Sequence, residues 1–130
     1  YKASVKENLV INLDQVKKNI VKREFCLIDA RGEQRFKGLV EEPRNNLRKG
    51  NVRGSKNLPF SKIINSDDNT FKKKEELENI FLNHDIKVNE KLAFSCGSGI
   101  TACVLGLAGT IIKNKLPVIY DGSWAEYGLK

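Results

Sequence analysis

Cys96-Gly97-Ser98-Gly99 lies between an apolar run, Lys91-Leu92-Ala93-Phe94-Ser95, and an uncharged stretch long enough for a helix, from Ile100 to about Lys113. Glycines let consecutive backbone N–H groups turn inward as a nest, and a helix amino terminus adds roughly half a positive charge. Both features favour thiolate over thiol, and can draw a cysteine well below its free pKa of ~8.5. The chemistry predicted for Cys96 is nucleophilic attack by sulfur, and it requires no histidine.

Other chemistries are poorly served. The one histidine, His84, sits beside Asn83 and Asp85 at the polar end of a predicted helix and reads as a solvated surface residue. Three cysteines without regular spacing fit neither a disulfide framework nor a zinc site. No metal and no cofactor are expected, and the thiols point to a reducing compartment, by default the cytoplasm, with mitochondria as another reducing option. Cys26, in the middle of a predicted strand, and Cys103, seven residues after Cys96 within a predicted helix, read as buried and inert.

The chain of 130 residues carries a net charge of +7, which raises anionic substrates or nucleic acid as partners. Residues 31 to 53 supply +4 of that: Arg31, Arg35, Lys37, Arg44, Arg48, Lys49 and Arg53 against Glu33, Glu41 and Glu42. Phe36 is the only aromatic there to stack on a base and no nucleic-acid motif accompanies it, so an anionic small molecule is favoured over RNA. Lys72-Lys73-Lys74 is answered by Glu75, Glu76 and Glu78 and reads as a solvated helix face. The uncharged segment Cys96 to Ile112 carries four glycines, a serine and two threonines, so it reads as a buried helix rather than a membrane span. Tyr1-Lys2-Ala3 does not begin a signal peptide, because no apolar segment follows, and the absence of methionine points to a processed chain or a piece of a longer one.

The elements that must hold Cys96 follow from apolar patterning. Asn8 to Leu13 is a short apolar stretch, after which Asp14 can cap a helix to about Arg23 with Val16, Ile20 and Val21 on one side. Phe25-Cys26-Leu27-Ile28 and Leu92-Ala93-Phe94 are continuous apolar runs, as expected of strands buried on both faces. Arg31 to Phe60 is rich in Gly, Arg and Asn and is expected to be a long, functional loop with short regular pieces at most. Phe71 to Asn83 has helical spacing with Leu77, Ile80 and Phe81 inward, and Pro117 to Tyr120 reads as a further strand before a last helical turn. Gly106 and Gly109 each cost a helix about 1 kcal/mol relative to Ala, and close packing of that helix on a sheet would explain them. Strands alternating with helices predict an α/β domain with a mostly parallel central sheet flanked by helices.

Cys96-Gly97-Ser98-Gly99-Ile100-Thr101-Ala102 resembles the active-site loop of the rhodanese superfamily, in the version found in 3-mercaptopyruvate sulfurtransferases. Asp29-Ala30-Arg31, Arg35-Phe36, Glu42-Pro43-Arg44, Gly50 to Phe60 and Tyr120-Asp121-Gly122-Ser123-Trp124 recur in that family in the same order, so the resemblance runs from about Leu13 to Tyr127. It implies a rhodanese-like domain over residues 1–130, corresponding to the second, catalytic half of a two-domain sulfurtransferase whose first domain would precede it. Gly97 and Ser98 stand where thiosulfate sulfurtransferases typically carry basic residues, which favours 3-mercaptopyruvate as donor. Phosphatases of the same fold use Cys-x5-Arg, and Ala102 occupies the sixth position here.

By the resemblance, Arg35 and Arg44 hold the donor's carboxylate and keto oxygen, whereas Arg48 and Arg53 match that role less well; a surface position or a salt bridge to Glu41 or Glu42 is the plainer reading of each. Gly97, Gly99, Ile100 and Thr101 complete the substrate site through the loop, with Cys96 as nucleophile and Ser98 as proton relay. The implied partners are a small-molecule sulfur donor and a thiol, thioredoxin-like or cyanide acceptor, with no nucleic acid and no membrane. The family's Gly-His-Ile-Pro-Gly appears as Gly50-Asn51-Val52-Arg53-Gly54, where the histidine and proline look structural. The alternatives are a thiosulfate sulfurtransferase or persulfide carrier, and a non-catalytic module that binds an anion or a partner.

Overall fold

The computed structural model describes Lys2, Ser4 and residues 6–130; Tyr1, Ala3 and Val5 lie outside the described residues, and with them the reading of the Tyr1-Lys2-Ala3 start. Among the described residues, five parallel strands form one sheet in the order β1-β5-β4-β2-β3: β1 Val10–Ile11, β2 Cys26–Asp29, β3 Lys56–Asn57, β4 Leu92–Ser95 and β5 Val118–Tyr120. The expected α/β architecture is present, with every strand pairing parallel.

Alternation along the strands explains why they read as unbroken apolar runs. Leu27 and Ala93 point into one core layer, with Ile11, Val16, Leu47, Val52, Tyr120 and Trp124. Ile28, Leu92 and Phe94 point into the other, against Leu77 and Phe81 of α3 (Lys74–Asn83) and Ala102, Leu105, Ala108 and Ile112 of α4 (Ile100–Lys113). Neither face of β2 or β4 meets water, so neither needs polar residues at every second position.

The helix α1 (Leu13–Lys22) is capped by Asn12, not Asp14: the Asn12 side chain accepts from Gln15 N–H at 3.0 Å, and Gln15 Oε1 accepts from Asn12 N–H at 2.9 Å. This reciprocal pair satisfies two amide donors that the helix leaves unpaired. Val21, expected to face inward, is 85% exposed, because the inner stripe of α1 passes through Val16 and Ile20. Phe71 precedes α3, where Ile64 and Phe71 form an isolated antiparallel bridge. Residues 31–60 are mostly loop, interrupted by a single helical turn, α2 (Glu33–Phe36), the two-residue β3, and a 3-10 turn that begins at Phe60. Asn51, in the place of the family's histidine, ties this loop by donating from Nδ2 to the Phe36 carbonyl at 2.9 Å. No helix among the described residues is long and apolar enough to cross a membrane.

His84 caps the end of α3 half-buried, its Nδ1 2.8 Å from the Ile80 carbonyl, so it is less solvated than its neighbours suggest. Cys103 is exposed on the outer side of α4, which corrects the expectation of a buried thiol there, and Cys26 is half-buried.

Candidate active site

After β2 the chain moves outward to β3, and after β4 it moves the other way to β5. Ligands of open α/β sheets sit where the strand order reverses in this manner, outside the carboxyl ends of the strands. Asp29 pairs with Ser95 at that end, and Cys96 is the first residue beyond it.

The Cys96–Gly99 loop is wound around its own sulfur. Gly99 N–H donates to Cys96 Sγ at 3.1 Å and Ser98 N–H at 3.4 Å. Gly99 has φ +89°, a left-handed conformation that places it as the amino cap of α4, and a Cβ there would come within 2.8 Å of an Asp121 carboxylate oxygen. Burial pushes the Cys96 thiol up, but the Thr101 hydroxyl and the amides of Ser98, Ala102 and Gly99 together outweigh it and draw the thiol below its ordinary value. Cys26 goes the other way: burial pushes its thiol up, against the opposing charge of Lys56. The lowered pKa expected at Cys96 thus has a structural basis that Cys26 lacks.

A second clamp holds the loop from behind. Cys96 N–H donates to Ser123 Oγ at 3.0 Å, and the Ser123 hydroxyl donates onward to the Tyr120 carbonyl at 2.8 Å. Trp124 N–H and Ala125 N–H donate to the carbonyls of Cys96 and Gly97, both at 2.9 Å. Ser123 is fully buried with φ +51°, a strained conformation for a residue with a side chain. It begins α5 (Ser123–Tyr127), whose position is also fixed by Tyr120 Oη donating to Glu126 at 2.7 Å. The sequence shows Ser123 only as part of a motif; no local signal marks its hydroxyl as the partner of an amide 27 residues away.

Above the sulfur lies a cavity of about 320 Å³ lined by Arg35, Glu42, Pro43, Arg44, Leu47, Cys96, Gly97, Ser98, Ile100 and Thr101. The structure therefore brings Cys96, Ser98, Arg35, Arg44, Gly97, Ile100 and Thr101 together, with Gly99 beneath as the cap of α4. Ile100 is 72% exposed at the rim, Ser98 is exposed, and Arg44 is exposed and pairs with no carboxylate among the described residues. A Cβ at Gly97 would lie 3.1 Å from Arg35 Nη2, so a side chain there would press on the guanidinium. Arg35 also makes the salt bridge to Glu42 that its plainer reading anticipates.

The other arginines of this stretch lie away from the cavity. Arg31 is buried and paired with Asp29 and Glu42. Arg48 donates to the Tyr127 carbonyl and lies against the rings of Trp124 and Tyr127. Arg53 lines a separate hollow of about 470 Å³ with Cys26, and a hollow of about 630 Å³ opens beside Leu92 and Val118. Among the described residues no group of three or more His, Cys, Asp or Glu could hold a metal ion.

No protein-family model matches the chain. It is 39% identical over 127 residues, 98% of its length, to thiosulfate/3-mercaptopyruvate sulfurtransferase 2 of Arabidopsis thaliana, of which it covers 37%. To the 3-mercaptopyruvate sulfurtransferase of Homo sapiens it is 30% identical over 130 residues, 100% of this chain and 43% of that one. Among solved structures it is similar to a 3-mercaptopyruvate sulfotransferase of Escherichia coli, described as having the rhodanese fold. The TM-score is 0.79 and the identity 29%, over 95% of this chain and 45% of that one. The chain spans less than half the length of each of these relatives.

Proposed function

We propose, since this chain belongs to the rhodanese superfamily, that it transfers sulfur from 3-mercaptopyruvate to an acceptor by way of a persulfide on Cys96. The observation that carries this reading is Cys96 Sγ accepting two loop amides at the floor of a cavity whose wall holds Arg35 and Arg44. A nucleophilic sulfur next to two guanidinium forks suits a small donor that carries both a carboxylate and a transferable sulfur.

The donor's carboxylate and keto oxygen bind Arg35 and Arg44. Cys96 thiolate attacks the donor sulfur, an S–S bond forms, and the C–S bond breaks with its electron pair passing to carbon as the enolate of pyruvate. Ser98, at the mouth, relays the donor's thiol proton to that enolate. The persulfide left on Cys96 is stabilised by the amides that now surround the thiol, since they are fixed before charge arrives. A thiol, on a small molecule or a thioredoxin-like protein, or cyanide then attacks the outer sulfur and frees Cys96. A preceding rhodanese-like domain would close the cavity from the far side. Three free thiols suit a reducing compartment such as the cytoplasm.

Thiosulfate is the second donor, because the name of the Arabidopsis relative couples both. The test is the intact mass of the chain after brief exposure to each donor, with Cys96→Ser as control. A gain of one sulfur from 3-mercaptopyruvate, absent in the control, is expected; a gain from thiosulfate alone would change the donor, and no gain from either would favour a non-catalytic anion-binding module.

A further inference from the structure

Glu42 is an unexpected wall for an anion site, because its carboxylate is 1% exposed and lines the cavity beside Cys96. A buried carboxylate is costly unless paired, and Glu42 is paired twice. Its Oε1 accepts from Arg31 Nη1 at 2.7 Å and its Oε2 from Arg35 Nη2 at 2.5 Å. The two arginines differ in freedom. Arg31 is 1% exposed and held on every side: its Nε bonds both Asp29 oxygens, its Nη2 bonds Asp29 and the Gly50 carbonyl, and its guanidinium lies 4.4 Å from the Trp124 ring centroid. Arg35 is 32% exposed, on the one-turn helix α2, and its contacts to Glu42 are its only charged tether among the described residues.

We infer that Glu42 is a positioning residue that acts through Arg35, fixed by Arg31 so that the Arg35 fork is set over Gly97 before a carboxylate arrives. Glu42 occupies Nε and one hydrogen of Nη2, at 3.4 and 2.5 Å, which leaves the Nη1 pair and the second Nη2 hydrogen as donors. The inference rests on the reading that Arg35 receives a carboxylate. An arginine on a long, rotatable stem otherwise loses side-chain entropy when the ligand binds; held by Glu42, it has lost that freedom on folding. Arg31 supplies the rigidity, because its other hydrogen bonds prevent Glu42 from following Arg35 into the cavity.

The experiment uses protection of Cys96, which needs no turnover. Pyruvate, a carboxylate without transferable sulfur, is titrated against alkylation by neutral iodoacetamide, with modification at Cys96 read by peptide mass spectrometry. Wild type, Glu42→Gln, Arg35→Ala and the double variant are compared. The half-protecting pyruvate concentration is expected to rise about tenfold in each single variant, and within twofold of that in the double, because both act on one interaction. Each half-protecting concentration is read against the same variant's own unprotected alkylation rate, so a change in thiol reactivity does not enter it.

Unchanged protection in Glu42→Gln, or a double variant whose effects multiply, would overturn the inference. If Glu42→Gln slows unprotected alkylation, Glu42→Asp decides. It keeps the charge but is one methylene short of spanning both arginines, so protection should still weaken with the loop intact; full protection there overturns the inference too. Absence of protection in wild type would overturn the inference together with the carboxylate site. The expected protection pattern without any sulfur gain from 3-mercaptopyruvate would uphold Glu42 and sink only the transfer reaction.

Discussion

Cys96 and Cys26 lie at opposite ends of adjacent strands, and their environments shift the two thiols in opposite directions. Cys96 gains hydrogen bonds to its sulfur that outweigh burial, whereas at Cys26 desolvation dominates. The charged form is the reactive one, so each alkylation rate climbs as pH rises through the thiol's own pKa. We expect the midpoint for Cys96 below the ordinary thiol range of ~8.5, that for Cys26 above it, and exposed Cys103 modified without protection by pyruvate. Site-resolved alkylation with iodoacetamide across pH 5 to pH 10, on the order of the usual thiol range, measures all three. A Cys96 midpoint at or above that of Cys26 would remove the thiolate from the mechanism. The placement of Cys96 between strand and helix is legible because its loop, its strand and its helix are adjacent in sequence. The exposure of Cys103 is not: it depends on which side of α4 the sheet covers.

Helix α4 carries the loop, and its glycines make its seat on the sheet. A Cβ at Gly106 would come within 2.8 Å of Pro117 Cβ and 3.1 Å of Ile119 Cδ1, and one at Gly109 within 2.8 Å of Phe94 Cζ. Helix propensity alone favours alanine at both positions by about 1 kcal/mol. Overpacking against a rigid ring costs about 1–3 kcal/mol, and it should win. Gly106→Ala and Gly109→Ala are each expected to lower the urea midpoint at constant slope; a higher midpoint would mean that α4 slides to make room. The sequence points to close packing at these glycines, and the structure supplies the partners. Helix ends were harder to read. Asn12 and Asp14 are both competent caps by type, and only the reciprocal bonds with Gln15 decide for Asn12. Val21 followed the apolar pattern of α1 and still faces solvent, because the half-turn that packs is chosen by the sheet.

Across the whole molecule, Arg31 joins parts that are distant in the chain. It bonds Asp29 at the end of β2, Glu42 and Gly50 in the long loop, and stacks on Trp124 of α5. Arg31→Met would leave two buried carboxylates short of a partner, and removing one member of such a network typically costs about 3–5 kcal/mol. Urea unfolding followed by Trp124 fluorescence and by circular dichroism should show that loss in both signals together. A loss confined to fluorescence would make Arg31 a local anchor of α5 only. By itself the sequence determined the strand, cysteine, glycine loop and helix in succession around Cys96, the two strands buried on both faces and the basic loop, because these are patterns of neighbouring residues. Only the tertiary structure decided which arginine of that loop is buried and which faces the cavity. Arg31 finds its partners 11 and 19 residues away, and Cys96 finds Ser123 at 27. The energy of a charged or polar side chain depends on what surrounds it after folding, and composition and spacing say nothing of which distant group that will be.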